Sequence, residues 1–186
     1  MVQAILRRIA AGEQRAFAEL VDRYQRQLFG FLGRLGMSQA QAEDIAQETF
    51  LRAWTHLNSY QPERAQFVTW LFTIARNLAY NALQKEPHQH EMLDTVIPEP
   101  ASEQPDPAQV MESAQQHARL HSALRQLPLP DRSALALVYV HELGLADVAR
   151  IENDSLAAIK TRLHRAKQRL RAILQSDNRS EMFYGK

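Results

Sequence analysis

A proline-rich acidic strip near the middle of the chain constrains its architecture more than any other feature. Residues 86–114 contain seven Asp or Glu and no Lys or Arg, and they hold five of the eight prolines. Proline removes a backbone donor and disfavours helix in the preceding residue, so Ile97–Pro100 and Gln104–Pro107 cannot lie inside helices. Like charges and few apolar anchors predict a flexible, solvated linker over residues 86–112. We therefore expect two small domains, at residues 1–85 and 113–186.

The two units beside the linker are basic, although the formal net charge of the chain is only +1. Residues 1–85 carry ten Lys or Arg against seven acids, and residues 115–186 carry twelve against seven. This distribution favours a polyanionic partner. The absence of cysteine excludes disulfides and thiol catalysis. The longest apolar run, 134–140, is too short to cross a bilayer, and no signal-peptide pattern opens the chain, so we expect a cytoplasmic protein.

Helical periodicity dominates the first unit. Apolar residues recur in steps of three and four from Phe17 to Leu35, and Gly36 follows in the usual C-terminal position. Ser38 and Gln41 form a capping-box pair that opens a second helix, and residues 67–83 carry a third apolar stripe. No strand-like alternation of any length competes, so this unit is predicted to be an all-α bundle.

Four helices are predicted after the linker. Their bounds are about 107–127, 131–140, a short helix after Gly144 and a long helix after Ser155. The first break is assigned to Pro128 and Pro130, because proline interrupts helices. Asn153, Asp154 and Ser155 supply capping groups for the last helix. A short helix, a tight turn and a long basic helix are typical of a helix-turn-helix.

The long basic helix is a candidate for DNA recognition. Residues 160–171 contain six Lys or Arg and no acid. With the apolar stripe inward, Ala157, Thr161 and His164 point outward, flanked by Lys160 and Arg165. Small outward residues allow close approach to a major groove, and the flanking cations suit phosphates. The alternative is an ordinary solvated charged face.

Two further surfaces lie in the first unit. Trp54, Tyr60, Phe67 and Trp70 are expected to cluster around loop 58–66, where aromatic rings with nearby arginines suit the stacking of unpaired bases. The alternative is that both tryptophans are core residues. Helical spacing also places a set of polar residues on one side of the second helix, suited to a basic partner helix or simply to solvent. That set is Asp44, Gln47, Glu48 and Arg52.

Several of these segments resemble segments of one bacterial protein family, and they occur in the same order along the chain. Residues 42–54 (AEDIAQETFLRAW) are similar to the polymerase-binding helix of extracytoplasmic-function (ECF) sigma factors, and residues 67–77 (FVTWLFTIARN) to their promoter-melting segment. Residues 123–128 resemble the start of their C-terminal domain, and residues 147–149 with 159–167 resemble its helix-turn-helix. The chain is also similar to members governing nickel and cobalt resistance, although no single residue carries that likeness.

The resemblance implies a role for each surface. Core RNA polymerase would be bound by Asp44, Gln47, Glu48 and Arg52. The −10 promoter element would be met by Tyr60, Arg64, Phe67, Thr69, Trp70, Arg76, Asn77 and Asn81. The −35 element would be met by Ala157, Ala158, Lys160, Thr161, Arg162 and Arg165. It also implies regulation by a membrane-tethered anti-sigma factor, with no enzymatic activity, small-molecule substrate or cofactor.

The sequence departs from the family pattern at two places. Asn81 and Gln84 stand where the family commonly has Asp and Arg, which lowers the positive charge at the upstream edge. Asp154 stands where an apolar residue is usual and Ala157 where glycine is frequent, in the turn before the recognition helix. The first departure is expected to weaken binding to the upstream DNA duplex. The second is expected to change the preferred −35 sequence without abolishing binding.

Three alternatives remain open at the level of sequence. A helix-turn-helix regulator could bind promoters without docking on polymerase, and it would normally dimerise. An all-helical adapter could use the basic patches on acidic proteins. A metal enzyme is the weakest alternative, because the candidate clusters lack a full ligand set. Those clusters are His117 with His121, and His88 with His90 and Glu91.

Overall fold

The computed structural model describes residues 1–85, 116 and 118–184, with side chains up to residue 176, and every regular element in that part is helical. The helices are α1 (Val2–Ala10), α2 (Phe17–Arg34), α3 (Gln39–Thr55), α4 (Phe67–Lys85), α5 (118–125), α6 (Leu129–Tyr139), α7 (Leu145–Glu152) and α8 (Leu156–Tyr184). Single 3₁₀ turns span Gln14–Ala16 and Leu57–Ser59. The predicted all-α fold class is confirmed, whereas the predicted linker lies outside the described residues.

Helices α2, α3 and α4 form the predicted bundle of the first unit. The capping box is present at the start of α3: the Ser38 hydroxyl accepts from the Gln41 amide at 3.3 Å, and the Gln41 side chain accepts from the Ser38 amide at 3.0 Å. Gly36 has φ of 89°, the left-handed conformation expected after the C-terminus of α2. Helix α1 was not predicted, and it buries Ile5 against the bundle.

The first break predicted after the linker was wrong at Pro130. Helix α6 begins at Leu129, so Pro130 lies within its first turn, and Pro128 is the residue before the helix. The first turn of a helix has no internal partner for its amide groups, and the proline ring already holds a helical φ. Proline therefore starts this helix instead of interrupting it.

Helices α7 and α8 form the predicted helix-turn-helix. Asn153 ends α7 in a left-handed conformation with φ of 53°. The Ser155 hydroxyl then accepts from the Ala158 amide at 3.1 Å, which satisfies one of the free donors at the start of α8. The turn uses the capping residues that the sequence analysis identified.

The two units share one hydrophobic core. Phe31 and Phe72 of the first unit belong to the same buried cluster as Leu137 and Ile159 of the second. Helix α4 packs against α7, and α2 packs against α6. In this structure the helix-turn-helix therefore lies directly on the first unit, an arrangement that the sequence analysis did not foresee.

Candidate nucleic-acid interface

The polar side of α3 is available to a partner. Asp44 and Gln47 are exposed. Arg52 donates from Nε to the Glu48 carboxylate at 2.6 Å, and both side chains remain substantially exposed. Surface ion pairs of this kind contribute little to stability, about 0–1 kcal/mol. The four predicted residues are thus not required to hold the helix, and Leu51 beside them is also exposed.

Three of the four predicted aromatic residues form one cluster. The ring of Tyr60 lies 5.6 Å from Phe67 and 5.4 Å from Trp70, and Phe67 lies 5.7 Å from Trp70. The Tyr60 hydroxyl donates to the Ala65 carbonyl at 3.1 Å, and desolvation raises the pKa of its phenol. Trp54 lies apart from this cluster and contacts Phe17 edge-on at 5.1 Å.

The remaining candidate −10 residues differ in exposure. Arg64, Asn77 and Asn81 are exposed, and so is part of the Trp70 side chain. Phe67 is buried, and Tyr60 and Trp70 pack against the hydrophobic cluster that contains it. Sequence analysis alone did not separate these exposed groups from the buried ones.

Two candidate −10 residues form hydrogen bonds with the second unit. Thr69 is buried, and its hydroxyl donates to the Asp147 carboxylate at 3.1 Å. The Arg76 guanidinium stacks on the Tyr80 ring at 3.9 Å and donates to the Glu152 carboxylate at 3.4 Å. In this structure both side chains therefore face α7 instead of solvent.

The outer face of α8 exposes four of the six residues predicted for −35 recognition. Ala157, Lys160, Thr161 and Arg165 are exposed, and the Thr161 hydroxyl donates to the Ala157 carbonyl at 3.0 Å. Ala158 is half-buried. These exposed residues form a strip of small side chains with cations beside it, which suits approach to a groove and its phosphates.

Arg162 points back into the protein. It donates to the Asp154 carboxylate at 2.6 Å and lies 3.6 Å from the Glu152 carboxylate. Asp154, one of the departures from the family pattern, thus acts as the partner of an arginine on the recognition helix. Arg162 is held by the turn and is not presented to DNA in this structure.

A buried acid that links these groups was not predicted from the sequence. Glu152 has a fully buried side chain, bonded to Tyr80 at 3.2 Å, to Ser133 and to Arg76. Burial raises the pKa of the Tyr80 phenol to about 12. The spacing of Arg76 and Tyr80, one helical turn apart, was visible in the sequence, but nothing local indicated that Glu152 is buried.

The described residues contain no group of three or more side chains suited to a metal ion. Four of the candidate ligands lie outside the described part of the chain: His88, His90, Glu91 and His117. No helix within the described ranges combines the length and apolar character needed to span a membrane.

Each of the two helical units matches a known protein family model. Residues 20–88 match the family model "Sigma-70 region 2", and residues 117–170 match "Sigma-70, region 4". The ECF RNA polymerase sigma factor SigW of Bacillus subtilis is 32% identical over 183 residues, covering 94% of this chain and 97% of its own. The chain belongs to the ECF sigma factor family. The predicted resemblance is confirmed.

Two other relatives agree with the assignment. The ECF sigma factor RpoE of Cereibacter sphaeroides is 36% identical over 159 residues, which is 86% of each chain. The solved sigma factor RpoE of Bartonella quintana, in complex with the anti-sigma factor NepR, has a TM-score of 0.64 and 26% identity. It covers 87% of this chain and 98% of that chain. The similarity to nickel and cobalt resistance members stays a prediction.

As an ECF sigma factor, the protein binds core RNA polymerase, recognises −35 and −10 promoter elements and promotes DNA opening. Region 4 contains the helix-turn-helix of α7 and α8, and region 2 contains α3 and α4. The alternative of a regulator that acts without polymerase docking is not favoured. The roles of individual residues on each surface stay predictions.

Proposed function

We propose that this sigma factor uses three surfaces to bind polymerase, the −10 element and the −35 element. Asp44, Gln47, Glu48 and Arg52 on α3 dock on polymerase. The −10 element is met by Tyr60, Arg64, Phe67, Thr69, Trp70, Arg76, Asn77 and Asn81, and the −35 element by Ala157, Ala158, Lys160, Thr161, Arg162 and Arg165. The observation that carries the proposal is the exposed, mixed-charge side of α3, which fold stability does not require. We assign the working domains to residues 1–85 and 113–186, joined by a linker at 86–112.

In this proposal the chain couples binding free energy to strand separation and catalyses no reaction itself. Contacts at the −35 and −10 elements select the site. Capture of unpaired bases by the rings of Tyr60 and Trp70 offsets part of the cost of opening the duplex, since base stacking on an aromatic ring is worth about 1–3 kcal/mol. The phosphodiester chemistry belongs to the polymerase, and we place this activity in the cytoplasm.

An anti-sigma factor is the proposed regulator. The related Bartonella quintana protein was solved in complex with the anti-sigma factor NepR, which supports the same class of partner for this chain. Such a partner would compete for the docking side of α3. Attachment of the partner to a membrane is part of the proposal and rests on the family resemblance.

Run-off transcription with purified core polymerase on a pool of genomic promoter fragments tests the proposal. We expect discrete new transcripts with the protein and their loss, by at least about tenfold, with Asp44→Lys, because a charge reversal at a docking surface costs several kcal/mol. Asp22→Lys is the matched control, since Asp22 is an exposed acid on α2 outside the three surfaces. Equal transcription by both variants would refute the docking role of Asp44.

The −35 surface has a separate test. Lys160→Glu should weaken binding to the selected promoter and lower the slope of log affinity against log salt by about one. Arg7→Glu makes the same change in charge at an exposed residue of α1 and should leave the slope unchanged. An equal loss in both variants would mean that net charge, and not α8, sets the affinity.

A further inference from the structure

The turn before the recognition helix holds an acid and a base of the second unit together. The Arg162 guanidinium donates to the Asp154 carboxylate at 2.6 Å, a short charge-assisted hydrogen bond. The other oxygen of Asp154 accepts from the backbone amide of Ser155 at 2.8 Å, so both oxygens of this carboxylate are engaged. Asp154 thereby connects the turn to the second turn of α8.

The direction of the Arg162 side chain follows from helix geometry. The Cα–Cβ bonds of an α-helix tilt toward its N-terminus, so a long side chain covers the turn that precedes its own Cα. Arg162 extends in this direction to a residue eight positions earlier, and its side chain is only 24% exposed. Lys160 and Arg165 are exposed on the outer face. Arg162 therefore lies behind the outer strip of α8.

The basic residues of α8 fall into two groups. Arg169 donates to the buried Asp131 of α6 at 2.6 Å, in the same way that Arg162 donates to Asp154. These two arginines bond to acids of the segments against which α8 packs. The outer cations remain exposed. The charge of the sequence did not separate the cations that hold the helix in place from those available to DNA.

The position of the Asp154–Arg162 pair relates it to base recognition. Residues near the N-terminus of a recognition helix contact the edges of bases, and Ala157 and Thr161 lie between the two members of the pair along the chain. An ion pair with a short hydrogen bond is directional, whereas an apolar side chain in the same turn would pack without a fixed direction. The pair therefore fixes the orientation of the first two turns of α8.

We infer that Asp154 is a specificity-determining residue of −35 recognition. Through its bond to Arg162 it fixes the start of α8, and Arg162 acts as a positioning residue instead of a DNA contact. The inference rests on the proposed function for the −35 surface and narrows the role of one residue in it. Both members of the pair belong to the second unit, so the pair does not require contact with the first.

Three variants separate the charge of the pair from the shape of the turn. Asp154→Asn keeps the size of the side chain and an oxygen that can accept from the Ser155 amide, but it removes the charge. Arg162→Met keeps an unbranched stem and removes the guanidinium. Asp154→Glu keeps the charge. Circular dichroism confirms that each full-length variant retains its helix content.

The first readout is discrimination by holoenzyme assembled from core polymerase and the full-length chain. It is the ratio of affinities for the strongest run-off promoter with its native −35 element and with a scrambled one. Asp154→Asn and Arg162→Met should lower this ratio by similar factors, about 2- to 150-fold, the range of coupling within one salt-bridge network. The double variant should lose no more than the more affected single variant, because either change already breaks the pair.

Two further variants control this readout. Asp154→Glu should keep most of the ratio, so a loss in Asp154→Asn is assigned to the ion pair and not to a disturbed turn. Glu13→Gln also removes one carboxylate charge from an ion pair, that with Arg8 at 2.6 Å, but it lies in the first unit outside the three proposed surfaces. It should leave the ratio unchanged.

The salt dependence of holoenzyme binding is the second readout, and a loss of stability alone would not change it. Each phosphate contact adds about one to the slope of log affinity against log salt. Lys160→Met should therefore lower the slope by about one. Arg162→Met removes the same charge from the same helix and should leave the slope unchanged, because its guanidinium bonds to Asp154 and not to a phosphate.

The possible results separate this inference from the proposed function. Wild-type holoenzyme that binds both promoters equally would refute the proposed −35 role of α8, and the inference with it. If the wild type discriminates, a ratio that Asp154→Asn leaves unchanged or improves would overturn the inference alone. A slope lowered by about one in Arg162→Met would also overturn it, and so would additive losses in the double variant, as expected of independent contacts.

Discussion

The partly buried imidazole of His141 should make folding stability depend on pH. Its ring lies against Phe31 and Phe72, and its Nε2 atom has no hydrogen-bond partner among the residues that the structure describes. Burial, with a smaller contribution from the nearby positive charge of Arg34, lowers the pKa of His141 from 6.5 to about 4. The folded protein therefore keeps this ring neutral at a pH where the unfolded chain has already bound a proton.

The magnitude follows from the difference in pKa between the two states. The unfolded chain binds the proton more tightly, so the contribution of His141 is complete above about pH 6.5 and is lost as pH falls toward 4. Each pKa unit corresponds to about 1.4 kcal/mol, so the full loss approaches about 3 kcal/mol. Between pH 7 and pH 5 the free energy of unfolding should fall by about 2 kcal/mol on account of this residue.

Urea unfolding at both pH values measures this contribution. Wild type and His141→Phe are compared, because Phe retains an aromatic ring and cannot bind a proton. The loss of stability between pH 7 and pH 5 should be about 2 kcal/mol smaller in the variant, whatever its stability at pH 7. His56→Phe is the matched control, since His56 is exposed at the end of α3. An equal pH-dependent loss in wild type and His141→Phe would refute the argument.

Two further predictions concern helix ends. Ser38→Ala should lower the free energy of unfolding by about 1 kcal/mol, because it removes one half of the capping box on α3, and thermal unfolding measures it. Gly36→Ala should cost about 1–2 kcal/mol because φ is 89° there, and the added Cβ also meets Arg132. Gly144→Ala is its control, because φ there is an ordinary −62° and the added Cβ would lie 3.6 Å from the Asp147 carboxylate, an ordinary contact distance. Equal losses at both glycines would contradict the strain argument.

Local features of the sequence predicted most of the helical structure. The capping box at Ser38, the left-handed Gly36 and the capping residues after α7 all lie where the pattern placed them. These features depend on neighbours a few residues apart, which a single sequence displays directly. Pro130 was the exception, because proline is compatible with the first turn of a helix and incompatible with its interior. Helix α1 was overlooked although its apolar spacing is present in the sequence.

The candidate surfaces were predicted to a similar extent. The exposed side of α3 and the strip along α8 follow from helical period alone. The same period could not show that Thr69 and Arg76 face another unit, since a residue on the outer side of an isolated helix is indistinguishable from one at a docking face. Trp54 was grouped with the wrong rings for the same reason.

The sequence by itself determined most of the helices and their ends, the helix-turn-helix and the charge of each surface, because these properties arise from residues close together along the chain. Only the tertiary structure decided that the two units pack together and that Glu152 is buried between them. The contacts of Glu152 with Arg76 and Tyr80 join residues more than 70 positions apart. Their formation depends on how two complete helical units dock, and no local pattern of residues specifies that geometry.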